Sequence, residues 1–137
     1  MVKDQFYMPV KDSLHALNWL EIAEVDLDRV RRLVDDDPEL AGFCLQQAVE
    51  KLLKAFLISN GWSYRKSHDL VALLDEATIY DSSLKQYQQA CKIINFFYYV
   101  KLHPVITVEV ITKDHVKSAF EQVQDLIMLL RSKVAQT

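Results

Sequence analysis

The sequence predicts an all-α fold, an antiparallel up-and-down helical bundle of four long helices plus one short helix. Two observations predict it. Half of the 137 residues are hydrophobic while only two are Gly and three Pro, too little turn vocabulary for an all-β chain. Apolar residues also recur at helical spacing in long runs joined by connections of roughly four to ten residues, which favours antiparallel neighbours. The length suits one domain, and no internal repeat, low-complexity segment or flexible linker divides it. Residues 1–137 are therefore read as a single domain with its core at about 13–134.

Leu14, Leu17, Leu20, Ile22, Val25, Leu27, Val30 and Val34 set the first helix at about 13–34, with Ser13 placed to cap it. In the second, Asp37 serves as N-cap, Pro38 as first-turn residue and Glu39 as a favourable charge at the positive helix end; it runs to about Asn60, where Gly61 supplies a left-handed stop. The connection GWSYRKSHDL leads into a short third helix, capped by Ser67 and ending near Ala77, with Trp62 and Tyr64 tying the loop down. A break at TIYDSS precedes a fourth helix from about Ser83 to Leu102, ended by His103 and Pro104. The β-branched stretch VITVEVITKD reads as an extended connection, since a lone strand would have no partner. Thr112 then caps a fifth helix at about 113–134, with Val116, Phe120, Val123, Ile127 and Leu130 on its apolar side.

Charge and composition narrow the function. Sixteen basic against nineteen acidic residues give a net charge of −3, which argues against a non-specific nucleic-acid binder or DNA reader held by a basic surface. Cys44 and Cys91 lie in apolar helical patterns and read as reduced core thiols of an intracellular protein. No apolar run approaches the ~20 residues a membrane span needs, and the N-terminus lacks a signal-peptide stretch, so a cytoplasmic location without membrane contact is expected. Two glycines exclude a phosphate-binding Gly loop, no Cys/His set has zinc spacing, and no Ser sits in a nucleophile elbow. No metal and no cofactor are expected.

Three features stand out as candidate sites. In the second helix, Gln46, Gln47, Glu50, Lys51 and Lys54 fall within one arc roughly 140° wide. Phe43 below and Leu57 and Ile58 above share the angles of that polar waist, so something must pack across the face at both ends. Gln47, Glu50, Lys51 and Lys54 are the ligand-binding candidates there. Arg65 and His68, at the start of the third helix, add basic groups beside free backbone N–H donors, a combination that favours an anion. Phe96, Phe97, Tyr98 and Tyr99 point all round the fourth helix, and so many rings suit a homodimer interface. Lys101 and His103 close that helix, as a cation and a titratable base of the kind phosphate chemistry uses.

The stretches LQQAVEKLLKAFL at 45–57, NGW…KSHDLVALL at 60–74 and IAEVDLDRV at 22–30 together resemble the HEPN domain, over a span from about Leu14 to Leu130. The resemblance implies an antiparallel helical bundle, usually dimeric, often paired with a minimal nucleotidyltransferase in toxin–antitoxin modules. Many members are metal-independent ribonucleases whose active site, shared by two subunits, uses an Arg separated by four to six intervening residues from a His near the end of the fourth helix. His103 stands where that His belongs, but the positions for the Arg hold Phe96, Phe97 and Tyr98. Arg offers the phosphate a planar fork that Lys does not, and Lys101, two residues from His103, diverges from it on a helix. The expectation is a non-catalytic or degenerate member that binds nucleotide or RNA beside a nucleotidyltransferase. A ribonuclease toxin using His103 at a dimer interface, and a purely structural interaction module, are the alternatives.

Overall fold

The computed structural model describes residues 15–103 and 110–135. Among these residues there are six α-helices, one 3₁₀ segment and no strand: α1 Ala16–Leu33, α2 Pro38–Ser59, α3 Leu70–Ala77, the 3₁₀ segment Ser82–Tyr87, α4 Gln88–Leu102, α5 Lys113–Gln122 and α6 Gln124–Ala135. The all-α class holds. The count of four long helices plus one short one does not, because the expected fifth helix is two.

Helix α2 is the centre of the bundle and packs against each of the other five helices. Its ends form as the sequence predicts. Asp37 accepts the Leu40 N–H at 3.1 Å with Pro38 in the first turn. At the other end Gly61 adopts φ +89°, and the amides of Gly61 and Trp62 return to the carbonyls of Ile58 and Leu57. That pairing satisfies carbonyls a helix end would otherwise orphan, and only Gly enters that backbone region without strain. Leu45, Ala48, Val49, Leu52 and Ala55 are wholly buried against Ala23, Leu27 and Val30 of α1 and the inner faces of α3, α4 and α6. Gly42 lets α4 approach closely, since a Cβ there would stand 3.0 Å from Phe97 Cγ. Arg131 of α6 donates two bonds, at 2.7 and 2.9 Å, to the Glu24 carboxylate of α1, a forked pairing that fixes the two helices side by side.

Several element boundaries differ from expectation. The proposed Ser13 cap and the helix-ending Pro104 lie outside the described residues, as does most of the expected extended connection. Asp69, not Ser67, caps α3: its carboxylate accepts the N–H groups of Val71 and Ala72, while the Ser67 hydroxyl receives the Asp69 amide. An ionised carboxylate is the stronger acceptor, and Asn95 of α4 donates to the same oxygen at 2.9 Å, a partner no local pattern reveals. Before α4, Asp81 accepts both the amide and the hydroxyl of Ser83, which tightens residues 82–87 into a 3₁₀ turn and delays the α-helix to Gln88. The break between α5 and α6 falls at Val123, whose amide is shared by the Ala119 and Phe120 carbonyls. Val116, Val123, Ile127 and Leu130 are buried as expected, and Phe120 is partly covered, with the Arg31 guanidinium 5.5 Å from its ring centre. Thr112 caps α5 in a reciprocal box with His115.

Candidate functional site

The polar waist of α2 is divided, and its larger part faces neither water nor an open cleft. Gln46, Glu50 and Lys54 are buried, covered by the connection between α2 and α3. One carboxylate oxygen of Glu50 meets the Lys54 ammonium at 2.9 Å and the other meets His68 Nδ1 at 2.9 Å. The Gln46 amide nitrogen donates to Glu50 and to the His68 carbonyl. Lys54 lies 5.4 Å from the ring centre of Tyr64 and 5.6 Å from that of Trp19, and those two rings stack on each other at 5.5 Å. An ammonium removed from water is tolerable only with such an anion and aromatic faces around it. Among the described residues no buried side-chain nitrogen or oxygen lacks a partner.

The rest of the waist turns towards α1. Lys51 Nζ sits 2.6 Å from Asp26, whose carboxylate is buried in the apolar stripe of α1 and also accepts from Arg29 at 3.2 Å. Gln47 donates to Gln46 at 2.6 Å. Lys51, Gln47, Cys44 and Phe43 form one wall of an open cleft of about 450 Å³ between α1 and α2, with Arg29 and Arg32 on the other.

On the far side, His68 is 43% exposed at the edge of a second open cleft, of about 440 Å³, between the start of α3 and α4. In the neutral ring, a carboxylate on Nδ1 makes that nitrogen the donor and leaves Nε2 as the acceptor. Tyr98 stacks on the imidazole at 5.1 Å and on Phe43 at 5.6 Å. Burial, then the Glu50 charge, push the Tyr98 phenol up, so it stays protonated at neutral pH. Lys92, Asn95 and Tyr99 line the same cleft. Asn95 is locked in place: its oxygen accepts the Leu70 amide and its nitrogen donates to Asp69, each at 2.9 Å.

The structure thus brings together Glu50, Lys54 and His68 but separates other residues proposed with them. Glu50 and Lys54 present almost no surface, so their part is to hold His68 and the loop over them. Arg65 pairs with Glu76 of α3 and lies 5.6 Å from the Trp62 ring centre, away from the His68 cleft. Lys101 reaches towards Glu39, 3.9 Å away at the start of α2. His103 follows the last residue of α4, exposed, with its ring 4.7 Å from that of Tyr99, and touches the cleft only through that ring. Of the four aromatics proposed for a dimer interface, Phe97 is a core residue packed on Gly42 and cannot serve. Tyr98 is half-covered between Phe43 and His68, while Phe96 and Tyr99 remain exposed.

Sequence reasoning missed Asp26, Asn95 and the place of Lys92. Asp26 had a signal: a carboxylate between Ala23, Leu27 and Val30 interrupts the buried stripe of α1. Asn95 similarly interrupts IINFF. Cys44 and Cys91 are buried as expected, and burial pushes the Cys91 thiol up to about 12. Among the described residues no helix is long and apolar enough to cross a membrane, and no group of three or more His, Cys, Asp and Glu could hold a metal ion.

No curated protein and no solved structure matches the chain. Among known families, the HEPN domain model matches residues 16–133. With a match that runs from the first turn of α1 into the last turn of α6, the chain belongs to the HEPN domain family.

Proposed function

We propose that this HEPN protein is a cytoplasmic nucleotide- or RNA-binding protein rather than a nuclease, and that it acts as a homodimer beside a nucleotidyltransferase in a toxin–antitoxin-type module. The observation that carries the ligand reading is the His68 cleft, where an imidazole oriented from inside by Glu50 meets Tyr98, Tyr99 and Lys92. Aromatic rings receive a base, an ammonium receives a phosphate, and Nε2 accepts from a ribose hydroxyl or an exocyclic amine. Against nuclease action, a 2′-OH attack needs a base and a cation fixed on the same phosphate. His103 has Tyr99 as its ring neighbour, the expected Arg positions hold Phe96, Phe97 and Tyr98, and Lys101 is drawn to Glu39.

The second copy is assigned to a groove that adjoins the His68 cleft at Phe96. Phe96 and Val110, both exposed, border an apolar groove of about 410 Å³ between α4 and α5, and aromatic contacts of this kind suit an interface core. Calorimetric titration with a mononucleotide tests the ligand reading: Lys92→Glu and Tyr98→Ala should each weaken binding, and no heat from the parent protein refutes it. Metal-free incubation with RNA tests the rest. Cleavage by the parent and none by His103→Ala would return the protein to the ribonucleases.

A further inference from the structure

The cleft between α1 and α2 lies apart from His68 and has no part in the nucleotide reading. Its charged wall is built from within. Asp26 is buried in the apolar stripe of α1, and a carboxylate taken out of water has to be met by cations. Lys51 meets it at 2.6 Å and Arg29 at 3.2 Å. Each of these bonds uses one donor of a group that carries several, so an ammonium and a guanidinium reach the cleft already held in place. Positions fixed in advance lower the cost of binding. Arg32, in the same cleft, pairs with Asp28 at 2.9 Å, but both side chains are more than 60% exposed, and so exposed a pair gives way easily to another carboxylate.

The rest of the cleft is apolar. Leu33, Leu40 and Phe43 line it, and the Phe43 ring is steadied on its far face by Tyr98. The three cations against Asp26 and Asp28 leave one net positive charge, which matches a monoanion better than a phosphate dianion. A volume of about 450 Å³ takes a molecule of roughly ten to fifteen non-hydrogen atoms, at the ~30 Å³ that a water occupies. The other two clefts are built differently. The α4/α5 groove carries Asp114, an anion, and the His68 cleft sets Asp69 beside Lys92; in neither does a buried carboxylate brace a cation.

We infer that the α1/α2 cleft is a second binding site, for a small monocarboxylic acid with an apolar body. The carboxylate lies between Lys51 and Arg29, within reach of Arg32, and the body rests on Leu33, Leu40 and Phe43. The site does not depend on nucleotide binding at His68.

Two-dimensional amide NMR of the full chain, titrated with phenylpropanoate, tests it, with phenylpropanol as the neutral analogue and acetate as the head alone. The acid should bind with a Kd of about 1 mM or below, shift the amides of Phe43, Gln47 and Lys51, and bind about tenfold more tightly than either control, as a charge-assisted contact implies. Arg29→Gln and Arg32→Gln, each at a side chain more than half exposed, should weaken the acid about three- to tenfold and leave the alcohol unchanged, and the spectrum itself reports that each variant is folded. Equal affinity for the acid and the alcohol, or for the acid and acetate, would overturn the site. Shifts confined to Ser118 and Ala119 in the α4/α5 groove would do the same. Displacement of the acid by an equal concentration of inorganic phosphate would overturn the monocarboxylate assignment. A titration with AMP that leaves the His68 cleft unshifted removes the nucleotide reading alone, so the two fail separately.

Discussion

The Glu50 carboxylate stands 2.9 Å from the Nδ1 atom of His68, a residue eighteen positions further along the chain, and does so from within the protein. The carboxylate is not a surface partner that the imidazole has captured. It is part of the core arrangement of α2, so the orientation of His68 is set by the same contacts that bury Lys54.

Removal of either buried charge should therefore be severe. Lys54→Met leaves Glu50 ionised without its cation, and Glu50→Gln leaves the ammonium without its anion; each should cost about 3–5 kcal/mol in urea unfolding. His68→Ala, at a half-exposed position, should cost about 1 kcal/mol, because Lys54 and Gln46 still satisfy Glu50. Equal losses in all three variants would show that the imidazole, not the ion pair, holds the loop.

Gly42→Ala should destabilise the protein even though Ala is the better helix former. The gain in propensity is about 1 kcal/mol, while the new Cβ would meet Phe97 Cγ at 3.0 Å, and overpacking a buried ring costs about 1–3 kcal/mol. Combining Gly42→Ala with Phe97→Leu relieves the clash, so the double variant should lose less than its single changes predict. Strict additivity of the thermal shifts would count against a direct contact.

Acid should weaken the turn before α4. Hydrogen bonds from Ser83, with a smaller contribution from Lys133, hold the Asp81 carboxyl below its usual 3.8 despite partial burial. A folded pKa below the unfolded one gives stability that is present above the unfolded value and is lost as pH falls through the folded one. Asp81→Asn should thus be less stable than the parent at pH 7, with the gap closing below about pH 4. A gap that stays constant with pH would assign the effect to capping geometry alone.

The thiols should be silent in the folded protein. Burial raises both, and Asp26 adds to the effect at Cys44; the thiolate is the reactive form. A disulfide reagent at pH 8 should modify Cys91 only as fast as the protein unfolds, and Cys44, 6% exposed in the wall of the α1/α2 cleft, far more slowly than a free thiol. Rapid labelling of one thiol in native buffer would show that its helix opens locally.

The ends of α2 were legible because their causes are local: Asp37 before Pro38, and Gly61 after the last apolar turn. Val123, Asp69 and the 82–87 turn were not, because each depends on what the segment packs against or which acceptor wins. The same division runs through the site. Periodicity placed Glu50, Lys51 and Lys54 on one arc, but an arc gives angles and not cover, so it cannot say that Tyr64 and His68 fold over two of the three. The apolar tips at Phe43 and Leu57 did signal that something crosses that face. The aromatic run failed in a similar way at Phe97, whose burial follows from Gly42, a residue on another helix.

The connection between α2 and α3 has the sequence of a surface loop, yet its Tyr64 ring covers the buried Lys54 ammonium and its His68 imidazole meets the buried Glu50 carboxylate. To lift it is to expose an ion pair and open the middle of the central helix. Local fraying, the ordinary behaviour of connections, is costly here, and the Gly61 and Trp62 amides, bonded to the carbonyls of Ile58 and Leu57, should exchange their hydrogens only as the end of α2 opens.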